Sequence, residues 1–347
     1  MQRVYLDWNA TAPLRTEART AMIAAMDALG NPSSVHAEGR AAMAILERAR
    51  VQVAEAFGAL GADVIFTSGA TEAAALAMMG VELETADIEH DAVAAHGTGL
   101  LPVSSHGTVS VTSPQGSALQ LANSETGVIQ NLPQGLRISD MTQAFGKLPI
   151  AFNWAGADMA LISAHKLGGP KGIGALVIRR GVDVQSLIPG GGQEMGRRSG
   201  TENVIGIAGF GAAAEAARRD LDTGVWSQVE KRRDMLEAAL ADVANQTIFV
   251  GQEAERLPNT SCFAVPGWKG EIQVMQMDLA GFAISAGSAC SSGKVRESRV
   301  LRAMGYAPDV ARSAVRVSLG PATTDEDLMR FAEAWRGSFE RFQAKAA

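Results

Sequence analysis

The chain is nearly free of cysteine. Two residues among 347, Cys262 and Cys290, are too few for a disulfide framework, and they fit a reducing, cytoplasmic compartment. Basic charge is not in excess either. The 31 Lys and Arg against 37 Asp and Glu give a net charge of −6 and a pI near 5.5. That balance argues against a phosphate-backbone binder, so no direct nucleic-acid partner is expected. No stretch reaches the roughly 20 apolar residues of a membrane span. The start MQRVYLDWNATAP lacks the basic residues and apolar run of an export signal. No membrane association or export is therefore expected. Histidine is sparse, 5 in all, with no paired histidines and no Cys-x-x-Cys spacing, so no metal site is predicted. Repeats and low-complexity tracts are absent.

What is present describes a globular protein with a large core, 47% apolar and 20% charged. Its length suits one large domain plus a smaller one. Strand-length apolar runs (DVIFTS, MALISA, GALVIR) alternate with Ala-rich helical stretches at Glu38 to Phe57 and Thr71 to Met79. That alternation predicts an α/β fold, a mainly parallel sheet with flanking helices. The Ala/Glu/Arg-rich stretch from Gly209 to Ala244 reads as long helices joining two domains near residue 225. Residues 14–225 form the expected large domain. Residues 1–13 and 226–347 form the small α+β domain, with strands at TSCFAVPG, AGFAISAG and AVRVSLG, a helix near Arg299 to Met304 and a closing helix from Asp325 to Phe342.

Glycine is concentrated in GGPKGIG and GGGQEMGRRSGT, where the backbone must turn sharply or lie close to something. Lys166, in SAHKLGGPKGIGAL, follows an apolar strand, where α/β sheets present functional groups; alone it is a solvated loop lysine. Asp140, in RISDMTQAFGK, has the placement a pyridinium nitrogen needs, and alone is a turn or cap residue. FTSGATEAA reads as strand, turn and helix, so backbone N–H groups and the Thr71 hydroxyl converge on a phosphate-sized anion; alone it is a capping motif with Glu72. Cys290, in SAGSACSSGK, has Lys294 and Arg296 downstream in a polar loop that favours a thiolate. Cys262, within TSCFAV, reads as a packed core residue.

These segments together resemble the cysteine desulfurases of the aminotransferase class V family, fold-type I pyridoxal-phosphate enzymes. The resemblance runs in order from YLDWNATAP through NPSSVHAEGRAA, FTSGATEA, IEHDAV, SETGVIQ, DMTQAFGK, SAHKLGGPKGIGAL, GGGQEMGRRSGTEN and SAGSACSSG to AVRVSLG. It implies that Lys166 holds pyridoxal 5'-phosphate as a Schiff base, that His90 stacks on the ring, and that Asp140 pairs with the ring nitrogen. Gln143 would bond the ring hydroxyl. Thr71, Ser163 and His165 would seat the phosphate, with Ala70 in the cofactor-binding set. Thr201 would reach the phosphate of a second subunit, which makes the enzyme a homodimer. Arg316 would clamp the carboxylate of L-cysteine, with Asn123 and Ser124 beside it. Cys290 would take the sulfur as a persulfide and pass it to an acceptor protein, such as an iron–sulfur scaffold.

The sequence departs from the family at several places, among them Ile138-Ser139 where His-Val is usual and Pro321 where an arginine is usual. Ser124 stands where an asparagine is usual. The segment between Glu125 and Asp140, with Pro133 and Gly135, is too short for the crossover helix, and His90 to Asn123 is similarly trimmed. Gln130 to Ile138 is therefore expected as a short loop beside an exposed apolar patch. Two other readings remain open: a selenocysteine lyase or other class V enzyme, and a degenerate, non-catalytic interaction protein.

Overall fold

The computed structural model describes residues 3–287 and 297–346. Five strands form the larger sheet, in the order Asp63–Thr67, Gly174–Ile178, Ala157–Ser163, Leu136–Asp140 and Ala118–Gln120. The last three are mutually parallel. Gly174–Ile178 runs against both its neighbours, so the other four strands share one direction. All five of its residues are buried, as in MALISA, which explains why these runs are continuously apolar instead of alternating.

Helices cover both faces of this sheet. On one side Ala37–Ala56 and Val204–Asp222 pack over a cluster that includes Phe57, Phe66, Phe145, Phe152 and Phe210. On the other, Ala70–Met78 packs Leu76 and Met78 against Ile65, Ile138 and Leu161. A second, antiparallel sheet orders Ser285–Ala286, Ala314–Ser318, Thr260–Ala264 and Ile248–Phe249. It has its own core, centred on Trp268, Trp335, Phe263 and Phe331 and closed by helix Asp325–Ala346. The expected run of helix from Gly209 to Ala244 is two helices, Val204–Asp222 and Val225–Val243. They are separated by Gly224 at φ 72°, a left-handed conformation that glycine adopts without a Cβ clash.

The N-terminal segment ties the two sheets together. Val4–Tyr5 pairs in parallel with Phe282–Ala283 and Asp7 bridges to Ser318, both on the small-sheet side. A few residues on, the Ala12 N–H donates to His165 O at 2.8 Å and the Arg15 N–H to Gly168 O at 2.9 Å, on the large-sheet side.

The trimmed crossover is an open loop. No helix lies between Gln120 and Leu136; the chain makes a bridge from Ala122 to Ile129 and then runs irregularly to Leu136, where the strand begins inside the stretch expected as loop. Beside it Trp154 is 84% exposed and Leu60 62%, and Asn153 Nδ2 donates to Leu60 O at 3.0 Å.

Candidate active site

Parallel strands end together, and their carboxyl ends are where loops can gather side chains around one space. Here Gln120, Asp140 and Ser163 are the last residues of three adjacent strands, and all three line one cavity of about 600 Å³. His165 and Lys166 follow Ser163 in a short 3₁₀ turn and also face it.

The opposite wall is the start of helix Ala70–Met78. Its N-cap Gly69 offers no side-chain cap, so the first-turn N–H groups are left for another acceptor. Ser68, Gly69, Ala70 and Thr71 all border the cavity. Glu72 is turned away from it, accepting from Ser68 N at 2.7 Å and from Arg198 Nε at 2.8 Å. Burial alone would raise its pKa, but those hydrogen bonds hold the carboxyl below its ordinary value. Gly174 explains how the helix comes so close. A Cβ there would lie 2.6 Å from Ile162 O and 2.8 Å from Gly69 Cα.

Around this space the charges are mixed. Asp140 Oδ1 accepts from Thr142 N at 2.9 Å and lines the cavity with Gln143 and His90. His90 caps the short helix Asp91–Ala94, its Nδ1 accepting from Ala92 N at 3.1 Å, which places the proton of the neutral ring on Nε2. Lys166 Nζ donates to Asn9 O at 2.6 Å and Ala10 O at 3.0 Å. His165 is pushed down to about 4 by burial and by Lys166, Lys171 and Lys147, so its ring is neutral at pH 7. Its buried Nδ1 has no hydrogen-bond partner. Glu89, fully buried beside Asp140, is raised well above the ordinary carboxyl range by burial.

Arg316, in the central strand of the small sheet, projects into the same cavity with its side chain 3% exposed. Its NH2 pairs with Asp7 Oδ1 at 2.8 Å and its NH1 donates to Ser124 O at 2.9 Å, while Nε is buried and unpartnered.

Of the residues singled out from sequence, the cavity gathers Ala70, Thr71, His90, Ser124, Asp140, Gln143, Ser163, His165, Lys166 and Arg316. Asn123 lies outside it. Its Nδ2 donates to Ile88 O, and its Oδ1 accepts from Glu125 N and Thr126 N, so the amide is spent holding the Glu125 turn. Thr201 is exposed and also outside this cavity. Cys290 lies outside the described residues. Cys262 is buried and its thiol is pushed far up, first by desolvation. Sequence reasoning missed Asn9, Lys147 and Lys171. Each sits inside a motif already noted, but only the fold shows that Lys147 reaches Asn9 and that Asn9 and Lys171 border the cavity.

The residues present suit pyridoxal phosphate. The uncapped helix start, the orphaned His165 nitrogen and Lys171 offer donors to a dianion, Asp140 offers an acceptor to a ring N–H, and Lys166 offers an amine.

Comparison with known proteins agrees with this arrangement. The family model described as aminotransferase class-V matches residues 4–97 and 114–331. The unmatched gap falls inside the stretch expected to be trimmed. A protein named cysteine desulfurase from Cereibacter sphaeroides is 39% identical over 370 positions, covering 96% of this chain and 95% of its own. That alignment is longer than the 347 residues here, so the relative carries residues this chain lacks. A cysteine desulfurase from Gluconacetobacter diazotrophicus is 37% identical, covering 97% of this chain and 93% of its own. Among solved structures, a NifS-like protein from Rickettsia africae superposes with a TM-score of 0.88 at 30% identity, covering 98% of this chain and 100% of its own. A shared motif order, a shared fold and near-complete coverage on both sides leave one assignment: the chain belongs to the aminotransferase class-V family, whose members depend on pyridoxal phosphate.

Proposed function

We propose that the protein is a cysteine desulfurase that removes sulfur from L-cysteine, releases L-alanine and passes the sulfur through Cys290 to an acceptor protein. The observation that carries this reading is the single cavity in which Lys166, Asp140, His90, Gln143 and Arg316 meet at the carboxyl ends of the parallel strands. Bound there, pyridoxal phosphate supplies an electron sink for the carbon that loses its proton.

The chain's own residues divide the work. The helix start at Ala70 and Thr71, with Ser163 and His165, would hold the phosphate. Asp140 would keep the ring nitrogen protonated, Gln143 would donate to the ring oxygen, and His90 would lie against the ring. Lys166 Nζ, steered by the carbonyls of Asn9 and Ala10, would carry the cofactor and then move the substrate Cα proton. Arg316, already fixed by Asp7 and Ser124, presents Nε to the substrate carboxylate. The Cys290 thiolate would attack the substrate sulfur: an S–S bond forms, the C–S bond breaks, and its electron pair stays with the carbon that becomes alanine. In this reading Thr201, exposed on its own chain, serves the partner subunit of a homodimer, and the compartment is the cytoplasm.

The purified protein is expected to be yellow, with a visible band that borohydride bleaches while fixing the cofactor to Lys166. Lys166→Ala should lose that attachment and all turnover. A band still fixed to the protein in Lys166→Ala would sink the lysine assignment, and a colourless wild type that takes up no cofactor would favour the degenerate reading.

A further inference from the structure

Beneath the cavity lies an amine to which the reading above gives no role. Lys147 is 3% exposed. Its Nζ donates to Gln143 Oε1 at 2.8 Å and to Asn9 Oδ1 at 3.0 Å, both neutral amide oxygens. Lysine is seldom buried this deeply without a carboxylate, so burying one here answers a specific need for donors.

The need lies in the two amides. Gln143 and Asn9 each have a donor end and an acceptor end, and an amide flip would exchange them. Donation from Lys147 Nζ at Oε1 holds Gln143 in one of its two flips. Its Nε2 then donates one N–H to Asn9 O at 2.9 Å and has a second to offer, and Gln143 borders the cavity. The same Asn9 carbonyl accepts from Lys166 Nζ. Asn9 Oδ1 also accepts from Asn259 Nδ2 at 3.0 Å, and Asn9 Nδ2 donates to Thr260 Oγ1 at 2.8 Å.

We propose that Lys147 is a positioning residue. By donating to Gln143 Oε1 and Asn9 Oδ1 it keeps the Gln143 N–H aimed at the cofactor's ring oxygen and the Asn9 carbonyl set against Lys166. This rests on the cofactor assignment made under Proposed function. Burial first, then the charges of Lys166 and Arg316, push the Lys147 amine well below its ordinary value.

The test uses the whole protein, stripped of cofactor and titrated with pyridoxal 5'-phosphate. Lys147→Met keeps the stem and removes the donors. It should remain folded, with an unfolding temperature at or somewhat below wild type, since two buried amide oxygens lose a donor. Its cofactor dissociation constant should rise about tenfold, the worth of one well-made hydrogen bond of about 1.4 kcal/mol. The pH at which the visible band titrates should also move up, because a ring oxygen without its donor holds the neighbouring proton more tightly. Gln143→Leu should show the same two changes, and the double variant should be no worse than Gln143→Leu alone. Lys147→Gln, which retains an amide donor, should recover part of the affinity, and it carries the test if Lys147→Met does not fold. Unchanged affinity and band pH in a folded Lys147→Met, or losses that multiply in the double variant, would overturn the proposal. A wild type that binds no pyridoxal phosphate would instead bring down the cofactor reading, and this inference with it.

Discussion

Glu125 is a buried carboxyl whose pKa is raised to about 7, first by desolvation, against the pull of the Ser298 hydroxyl that donates to it at 2.6 Å and of Arg316. A raised value in the folded state means that folding favours the protonated form. Its contribution is therefore complete below 4.5, the ordinary value, and is lost as pH rises to about 7. The size is on the order of 3 kcal/mol. His165 works in the opposite sense: held down to about 4, it favours the fold above 6.5 and withdraws that support as pH falls to about 4. The difference between Glu125→Gln and wild type isolates the first effect. Unfolding free energies at pH 5 and pH 7.5 should show the variant gaining relative to wild type as pH rises, and a constant difference would refute the assignment. At Arg316 the expectation concerns substrate. Arg316→Lys has no Nε–H to offer a carboxylate, the arginine's terminal nitrogens being held by Asp7 and Ser124, and KM for cysteine should rise at least about tenfold, the equivalent of about 1.4 kcal/mol, with cofactor binding retained. Cys290→Ala decides which class V reaction is run. It should keep the cofactor band and lose sulfur transfer from cysteine, while selenocysteine, whose selenium leaves with less dependence on a thiol, retains part of its turnover. Alanine formation from cysteine at the wild-type rate, with no persulfide in either protein, would end the desulfurase reading.

Among the elements, the turn from strand Asp63–Thr67 into helix Ala70–Met78 depends on the absence of a side chain at Gly174 on the neighbouring strand. Gly174→Ala should force the strand and the helix start apart, costing about 1–3 kcal/mol of stability. Cofactor affinity should fall with it, because Gly69 borders the cavity; calorimetric unfolding with and without added cofactor separates the two losses. These elements were legible in the sequence because their signals are local. Strand runs such as GALVI and MALIS are apolar throughout, and Thr71, Asp140 and Lys166 stand beside the strands that position them. Asn123 was not legible in the same way. An asparagine beside a substrate-binding arginine and one that braces a turn have the same sequence context, and only its three backbone partners decide which it is. Lys147 escaped for the converse reason: four residues after Gln143 it reads as a surface lysine, and its burial follows from Asn9 arriving from 138 residues away.

On the scale of the molecule, the two sheets and their separate cores were foreseeable from composition and order, and the break at Gly224 is where we propose the domains join. What composition does not convey is the reversed direction of Gly174–Ile178, since a buried antiparallel strand between helical layers carries the same apolar run as a parallel one. The N-terminal segment sets the order in which the molecule can be made. Leu6 donates to Ala283 O and accepts from Ser318 N, so this early segment is bound by strands that come far later in the sequence. The contacts of this segment must wait until those strands exist, and closing so long a loop is slow. The larger sheet, complete by Ile178, is under no such delay. Synthesis halted just after Gly224 should therefore yield a protease-resistant large-sheet half whose first ten or so residues are still cut, and their protection should appear only once Ala314–Ser318 has emerged.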